Sequence, residues 1–145
     1  MRARIGYLLD TNACIALING RPAAVRERFA KAIQAGAQML VPTVVAFELW
    51  YGVGKSSNPE SNARRVREFF AGPVRILEFG EDEARRAGEL RAELERAGKP
   101  IGAYDVLIAG QALQRELTVI TANAREFGRV KGLEWVDWGK AAIRD

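Results

Sequence analysis

Histidine is absent from this chain of 145 residues. Its absence excludes hydrolysis by a Ser-His-Asp triad, zinc sites built on histidine, and RNA cleavage by two histidines that act as acid and base. Any hydrolytic chemistry of this protein must therefore use carboxylates together with hard metal ions, which bind oxygen ligands.

Cysteine and long apolar runs are also scarce. Cys14 is the only cysteine, so it cannot form an intramolecular disulfide, and its apolar neighbours favour a small core residue over a reactive thiol. No apolar run approaches the ~20 residues that a membrane-spanning helix needs, and the apolar segment near the N-terminus has only about five residues. We therefore expect a cytoplasmic protein without a membrane partner.

The charge of the chain is moderately positive. The net charge is +4, and arginine accounts for 17 of the 22 basic residues. Arginine binds phosphate groups with two parallel hydrogen bonds, and a positive net charge raises encounter rates with nucleic acid. Genome composition alone can also produce an arginine bias, so a nucleic-acid partner is one of two interpretations of the charge.

Short apolar runs alternate with longer amphipathic ones along the whole chain. This pattern is typical of an α/β fold with a mainly parallel sheet, here of four to five strands. No repeat or linker divides the sequence, and its length suits one domain, so we expect a single domain over residues 1–145. The predicted strands are 5–9, 39–41, 74–77, 118–121 and 134–136. The predicted helices are 11–19, 22–34, one that starts at 42–43, 59–70, 81–97, and one that ends near 115.

Three carboxylates lie in apolar surroundings where packing alone would not place them. Asp10 ends the first apolar run, Glu48 lies between two apolar segments, and Asp105 opens an apolar helix. A charge among apolar groups is costly unless it is paired or bound to a metal ion. Because almost no basic residue is next to any of the three in sequence, a bound cation is the expected compensation.

The predicted topology brings these side chains toward one crevice. Asp10 follows the first strand and Asn123 follows the fourth, and ligands of parallel α/β sheets bind beyond the carboxyl ends of the strands. Glu48 and Asp105 converge on the same crevice if their helices pack beside the first strand. Oxygen ligands without nitrogen or sulfur favour Mg²⁺ or Mn²⁺, which activate water and stabilise phosphoryl displacement.

Each of these residues also has a purely structural interpretation. Asp10 precedes a predicted helix and is a favoured N-cap residue, and Asp105 can serve the helix dipole. Glu48 can fill a partly exposed structural role, and Asn123 can be an ordinary turn residue. Single residues therefore leave the function open, and their joint placement is the more informative observation.

Four segments in order carry a resemblance to a known family. They are Leu8-Leu-Asp-Thr-Asn12, Pro42-Thr-Val-Val-Ala-Phe-Glu-Leu49, Ile101-Gly-Ala-Tyr-Asp-Val-Leu-Ile-Ala109 and Thr121-Ala-Asn-Ala-Arg-Glu-Phe127. Together they resemble the PIN domain and, more closely, the VapC-type ribonuclease toxins of bacterial type II toxin–antitoxin pairs. The resemblance covers nearly the whole chain.

The resemblance implies a three-layer α/β/α sandwich with Mg²⁺- or Mn²⁺-dependent endoribonuclease activity. It also implies a homodimer that a cognate VapB-type antitoxin holds inactive. Asp10, Glu48 and Asp105 match the acidic positions of the family and are the expected catalytic and metal-binding residues. Thr11 and Asn12 match the polar residues that support the first aspartate.

One departure from the family pattern concerns the fourth acidic position. Many PIN domains carry aspartate where this chain has Asn123, so that carboxylate is either missing or replaced by Glu126. The number of metal ions, one or two, therefore stays open. Glu126 can also be a surface charge beside the apolar Phe127.

Two further expectations concern the substrate and the dimer. The loop Lys99-Pro-Ile-Gly102 resembles the subgroup that cleaves initiator tRNA in the anticodon stem-loop. The alternatives are a PIN nuclease of RNA processing that is not a toxin, and an α/β binding module without catalysis. The candidate residues for a dimer interface are Trp50, Tyr51, Val66, Phe69 and Phe70, with plain core burial as the alternative.

Overall fold

The computed structural model describes residues 5–140, which form five strands and seven helices. The strands are β1 (Gly6–Leu9), β2 (Gln38–Pro42), β3 (Arg75–Leu77), β4 (Thr118–Ile120) and β5 (Trp135–Val136). The helices are α1 (Thr11–Asn19), α2 (Ala23–Gln34), α3 (Thr43–Lys55), α4 (Pro59–Ala71), α5 (Glu81–Arg96), α6 (Ala103–Arg115) and α7 (Ala124–Phe127).

The strands form one sheet in the order β3-β2-β1-β4-β5, and all four neighbouring pairs are parallel. The chain moves outward from β1 through β2 to β3 and then returns to pair β4 with the other side of β1. The direction of winding therefore reverses between β1 and β4. In sheets of this kind the ligand crevice opens at that reversal, beyond the carboxyl ends of the strands.

The sheet is buried between helices, as a parallel sheet requires. Its central strands carry continuous apolar side chains, and Leu8, Leu9, Val41 and Val119 are fully inaccessible to solvent. Helix α5 packs along α6, and α1 contacts α2, α3 and α4. The predicted three-layer α/β/α sandwich is confirmed, and its sheet has five strands.

The predicted element bounds agree with the structure to within two residues. Val66, one of the candidate interface residues, is only 5% exposed and belongs to the core, so its side chain is not available for a dimer contact. Phe69 and Phe70 are half-buried, pack edge to face at 5.3 Å and also contact the core, whereas Trp50 and Tyr51 are exposed. Within residues 5–140 no helix is both long and apolar enough to cross a membrane.

The close packing of α5 on α6 depends on Gly110. A Cβ at this position would lie 2.6 Å from the Cα of Ala87, so the two backbones must separate to accept it. We expect Gly110→Ala to destabilise the fold by about 1–3 kcal/mol, the usual cost of overpacking a core. Gly88→Ala on the exposed side of α5 is the control, since its Cβ meets nothing within 4 Å. That change should be neutral or stabilising by up to about 1 kcal/mol.

Thermal denaturation followed by circular dichroism measures both changes. Equal melting temperatures for the Gly110→Ala and Gly88→Ala proteins would show that the α5–α6 contact is not as tight as described.

Candidate metal-binding active site

Asp10 is the most buried carboxylate of the crevice, with 5% exposure. It directly follows β1, and its backbone N–H donates to the carbonyl of Ile120 at 3.2 Å, which ties it to the end of β4. Its Oδ1 accepts a hydrogen bond from the backbone N–H of Ala13 at 2.8 Å and so caps α1. The N-cap interpretation of Asp10 is therefore correct, and the residue lies in the crevice as well.

Burial raises the pKa of Asp10 above its usual value, because desolvation disfavours the charged form. Hydrogen bonds from the Thr121 hydroxyl and the Ala13 amide act in the opposite direction, and the negative charges of Glu48 and Asp137 raise the pKa further. Neutral donors thus hold Asp10 in place, while the charges of two other carboxylates disfavour its ionised form.

Glu48 approaches this crevice from α3. Its Oε1 accepts a short hydrogen bond from the hydroxyl of Thr11, which fixes α3 against the start of α1. Thr11 therefore supports Glu48 rather than Asp10 itself. The side chain of Glu48 is half-buried.

Asp105 lies in the first turn of α6 and is also half-buried. Its Oδ2 accepts a hydrogen bond from the side-chain amide of Asn123 at 3.2 Å. The pKa of Asp105 is raised to about 7, first by desolvation, then by the hydrogen bond and charge of Glu126, and then by the charges of Asp10 and Glu48. The pKa of Asp105 is therefore raised by every other acidic group that the sequence predicted in this crevice, namely Glu126, Asp10 and Glu48.

Glu126 and Asn123 form the outer side of the crevice. Glu126 Oε1 accepts a hydrogen bond from the backbone N–H of Gly102 at 2.8 Å, and this bond, followed by the one with Asp105, lowers the pKa of Glu126. The carboxyl groups of Asp105 and Glu126 therefore interact, and the interaction raises the pKa of Asp105 while it lowers that of Glu126. Asn123 caps α7, because its Oδ1 accepts from the backbone N–H of Glu126 at 3.4 Å. Asn123 is therefore both a turn residue and a neighbour of Asp105.

Asn12 has a more peripheral position than the other predicted residues. It is exposed at the start of α1 and lines a cavity of about 300 Å³ together with Thr121 and Asp137. The acids Asp10, Glu48 and Asp105 and the residues Thr11, Asn123 and Glu126 form one connected group, and Asn12 borders it.

Two residues of the crevice, Thr121 and Asp137, were not among the predicted site residues. Thr121 is 1% exposed, binds Asp10, and accepts a hydrogen bond from the backbone N–H of Asn123 at 2.9 Å. Asp137 follows β5 as Asp10 follows β1, and its charge acts on Asp10. The same signal that selected Asp10, a polar residue directly after a strand, applies to both.

The donor set of the crevice fits a hard divalent cation. All its ligand atoms are oxygens, which Mg²⁺ and Mn²⁺ prefer. Within residues 5–140 no lysine or arginine forms an ion pair with Asp10, Glu48 or Asp105, so their mutual repulsion is uncompensated. In the same part of the chain, no group of three or more acidic, histidine or cysteine side chains is arranged to enclose an ion. The charges and the oxygen ligands of the crevice therefore suit a cation.

The sequence of this chain matches a known protein family along most of its length. The family model of the PIN domain matches residues 7–133. The chain belongs to the PIN-domain family. It is 44% identical to a protein of Shigella flexneri named tRNA(fMet)-specific endonuclease VapC, over 91% of this chain and 97% of that relative. This similarity confirms the resemblance to the VapC group that the motifs indicated.

Solved structures of VapC-group proteins share the fold. The crystal structure of DNA-bound VapBC from Salmonella typhimurium has 40% sequence identity and a TM-score of 0.84, over 92% of this chain and 98% of that one. VapBC2 from Rickettsia felis, bound to a DNA fragment from its promoter, has 33% identity and a TM-score of 0.85, over 92% and 99% of the two chains. The PIN-domain architecture of the present chain is thus the one seen in VapBC complexes.

The pKa of Asp105 predicts how the stability of the metal-free protein depends on pH. An acid whose pKa is raised in the folded state binds its proton more tightly there, so stability falls as pH rises from its unfolded pKa, near 4, through about 7. The melting temperature in a chelator should therefore decrease between about pH 5 and about pH 8, and Asp105→Asn should weaken this slope. Differential scanning calorimetry measures it.

Glu60→Gln is the control for this measurement, because Glu60 occupies the first turn of α4, outside the crevice. Its slope should equal that of the wild type. An Asp105→Asn protein with an unchanged slope would show that Asp105 ionises normally.

Proposed function

We propose that this protein is a metal-dependent endoribonuclease and the toxin of a type II toxin–antitoxin pair, acting as a single domain of residues 1–145. The observation that carries this proposal is the convergence of Asp10, Glu48 and Asp105 at the winding reversal of a PIN-domain sheet. Three acidic side chains from distant segments repel one another there, and no lysine or arginine among residues 5–140 pairs with them. Such an arrangement destabilises the metal-free protein and is explained by phosphodiester chemistry with a bound cation.

The proposed substrate is RNA, and specifically initiator tRNA. Two relatives at 44% and 41% identity are named tRNA(fMet)-specific endonucleases. The loop Lys99-Pro-Ile-Gly102, which resembles this subgroup in sequence, reaches the crevice through the hydrogen bond between Gly102 and Glu126. A PIN nuclease of RNA processing remains the second candidate, and its substrate would be a different RNA.

Asp10 and Asp105 are the proposed metal ligands, with Glu48 as the third acidic group and Mg²⁺ or Mn²⁺ as the ion. When bound, the cation supplies positive charge for the phosphate oxygens at the site of cleavage and favours deprotonation of water. Thr121 and Ala13 orient Asp10 by hydrogen bonds, and Thr11 does the same for Glu48. Asn123 positions Asp105 by a hydrogen bond, and the carboxylate of Glu126 is a hydrogen-bond partner of Asp105 in the metal-free protein.

The proposed partner is a VapB-type antitoxin, which would place an arginine side chain in the crevice. Guanidinium binds carboxylates with two parallel hydrogen bonds, so one arginine can compensate the acidic group and exclude the cation. The related solved structures are complexes named VapBC. We also propose a homodimer that acts in the cytoplasm, in keeping with a buried, reduced Cys14.

The first test of the active site replaces its acids by near-isosteric amides. Asp10→Asn and Asp105→Asn should each reduce cleavage of an RNA hairpin by at least about 100-fold, since electrostatic stabilisation of the transition state is commonly of this size. Glu48→Gln should also reduce it strongly. Gel analysis of cleavage in Mg²⁺ or Mn²⁺ measures the rates.

Glu60→Gln again provides the control, because it removes a carboxylate that is outside the crevice. Circular dichroism must show that each variant is folded. Wild-type cleavage rates in a folded Asp10→Asn protein would contradict the proposed active site.

The second test concerns the fourth acidic position. Asn123→Asp adds a carboxylate beside Asp105 and should lower the metal concentration for half-maximal binding, whereas Glu126→Gln removes one and should raise it. A change of about tenfold is expected for groups that contact or orient the ligands. The readout is the increase in melting temperature with added Mn²⁺, which follows binding without requiring cleavage. Equal curves for all three proteins would mean that only Asp10, Glu48 and Asp105 bind the ion.

A further inference from the structure

Helix α6, which carries Asp105, begins without a side-chain cap. Its N-cap residue is Gly102, which has no side chain to accept a hydrogen bond from the first turn. Asp105 belongs to this first turn, and Val106 is the first buried residue of the helix. The turn that holds Asp105 therefore precedes the part of α6 that packs on the core. Uncapped helix ends of this kind fray, so another contact must hold Asp105 in place.

Two side chains of the segment after β4 hold the loop that leads into this turn. Glu126 Oε1 accepts a hydrogen bond from the backbone N–H of Gly102 at 2.8 Å. Arg129 Nη1 donates a hydrogen bond to the backbone carbonyl of Pro100 at 2.6 Å. We call Pro100, Gly102, Glu126 and Arg129 the loop clasp. It binds one donor and one acceptor of the loop backbone with two side chains of opposite charge.

The loop clasp lies against the acidic crevice. A Cβ at Gly102 would lie 3.4 Å from Glu126 Oε1 and 3.6 Å from Asp105 Oδ2, so the loop backbone is within contact distance of both carboxylates. These two carboxyl groups are also hydrogen-bonded to each other. The backbone N–H of Lys99 closes the end of α5, and Ile101 packs against the core. A shift of the loop would therefore be passed directly to Asp105.

We propose that Arg129 is a positioning residue of the metal site, which holds the carbonyl of Pro100 and so keeps the first turn of α6, with Asp105, in the geometry that binds the cation. This inference rests on the proposed function, in which Asp105 is a metal ligand. Residues that orient metal ligands by hydrogen bonds commonly contribute about 10- to 100-fold to metal affinity. Arg129 makes this contribution through the backbone of the loop.

The positive charge of Arg129 has the opposite effect on a cation, and this difference in sign makes the proposal testable. After the hydrogen bonds with Gly102 and Asp105, the charges of Arg129 and Arg125 both lower the pKa of Glu126. The side chain of Arg125 is exposed and donates no hydrogen bond to any residue among 5–140. Positive charges repel a bound cation, so loss of charge alone would tighten metal binding. Loss of the bond to Pro100 should weaken it.

Isothermal titration calorimetry of the full chain with Mn²⁺ measures the affinity. Arg129→Gln should bind Mn²⁺ about tenfold more weakly than the wild type. Arg125→Gln removes the same charge near Glu126 without altering the loop, and it should bind as tightly as the wild type or more tightly. Arg26 Nη2 donates to the carbonyl of Leu17 at 2.8 Å, at the end of α1 that is remote from the crevice. Arg26→Gln thus removes an equivalent arginine–carbonyl bond and should leave the affinity unchanged.

Hydrogen exchange followed by NMR measures the loop clasp itself. The amide of Gly102 should exchange at least about tenfold faster in Arg129→Gln than in the wild type, and at the wild-type rate in Arg125→Gln. The pair of measurements separates positioning from plain stabilisation. A purely structural bond would lower the melting temperature of the metal-free protein and leave the Mn²⁺ affinity of the folded protein unchanged.

Wild-type Mn²⁺ affinity in a folded Arg129→Gln protein would overturn the proposal, and so would binding that is tightened as much as in Arg125→Gln. Absent RNA cleavage by a wild-type protein that binds Mn²⁺ would contradict the ribonuclease function alone, so the two failures are distinguishable. A wild-type protein that binds no Mn²⁺ would contradict both.

Discussion

Repulsion among carboxylates at the winding reversal of the sheet is the constraint on which the rest of the structure depends. Asp10 is fixed to the end of β1 by backbone geometry, and the helices α3 and α6 then bring Glu48 and Asp105 toward it. The fold stabilises this arrangement with neutral donors, namely Thr121, the Ala13 amide and, for Glu48, the hydroxyl of Thr11. Neutral donors orient anions without cancelling their charge, so the crevice keeps its attraction for a cation.

Much of this architecture follows from local sequence. The strands alternate with amphipathic helices, and Asp10 and Asn123 come directly after apolar strands, so their common edge of the sheet was predictable. The packing of α3 and α6 beside β1 followed only from the family resemblance, because the periodicity of the sequence does not predict which helices pack there. Asp10 shows that a helix cap and a ligand position are compatible, because capping uses one carboxylate oxygen and the carboxylate has two.

The features that sequence alone missed are those that depend on side-chain direction. Thr121 looked like the last residue of a β-branched strand, yet its hydroxyl binds Asp10. Val66 looked like an interface residue, yet it faces the core, since one stripe of an amphipathic helix must do so. Glu48 is half-buried although its neighbours in sequence are apolar, because those neighbours emerge on other faces of α3. Asp137 lies on a two-residue strand that gives little signal of its own.

The single cysteine of the chain has a practical consequence. Cys14 is fully buried beneath the crevice, and burial together with the charge of Asp10 raises the pKa of its thiol well above the usual value. Thiol reagents attack the thiolate, which is scarce at such a site. Cys14 of the native protein will therefore not react with labelling reagents, and a cysteine introduced on the surface will be the only one that takes a maleimide dye or spin label. Distances to RNA or to a partner chain can then be measured from that one position.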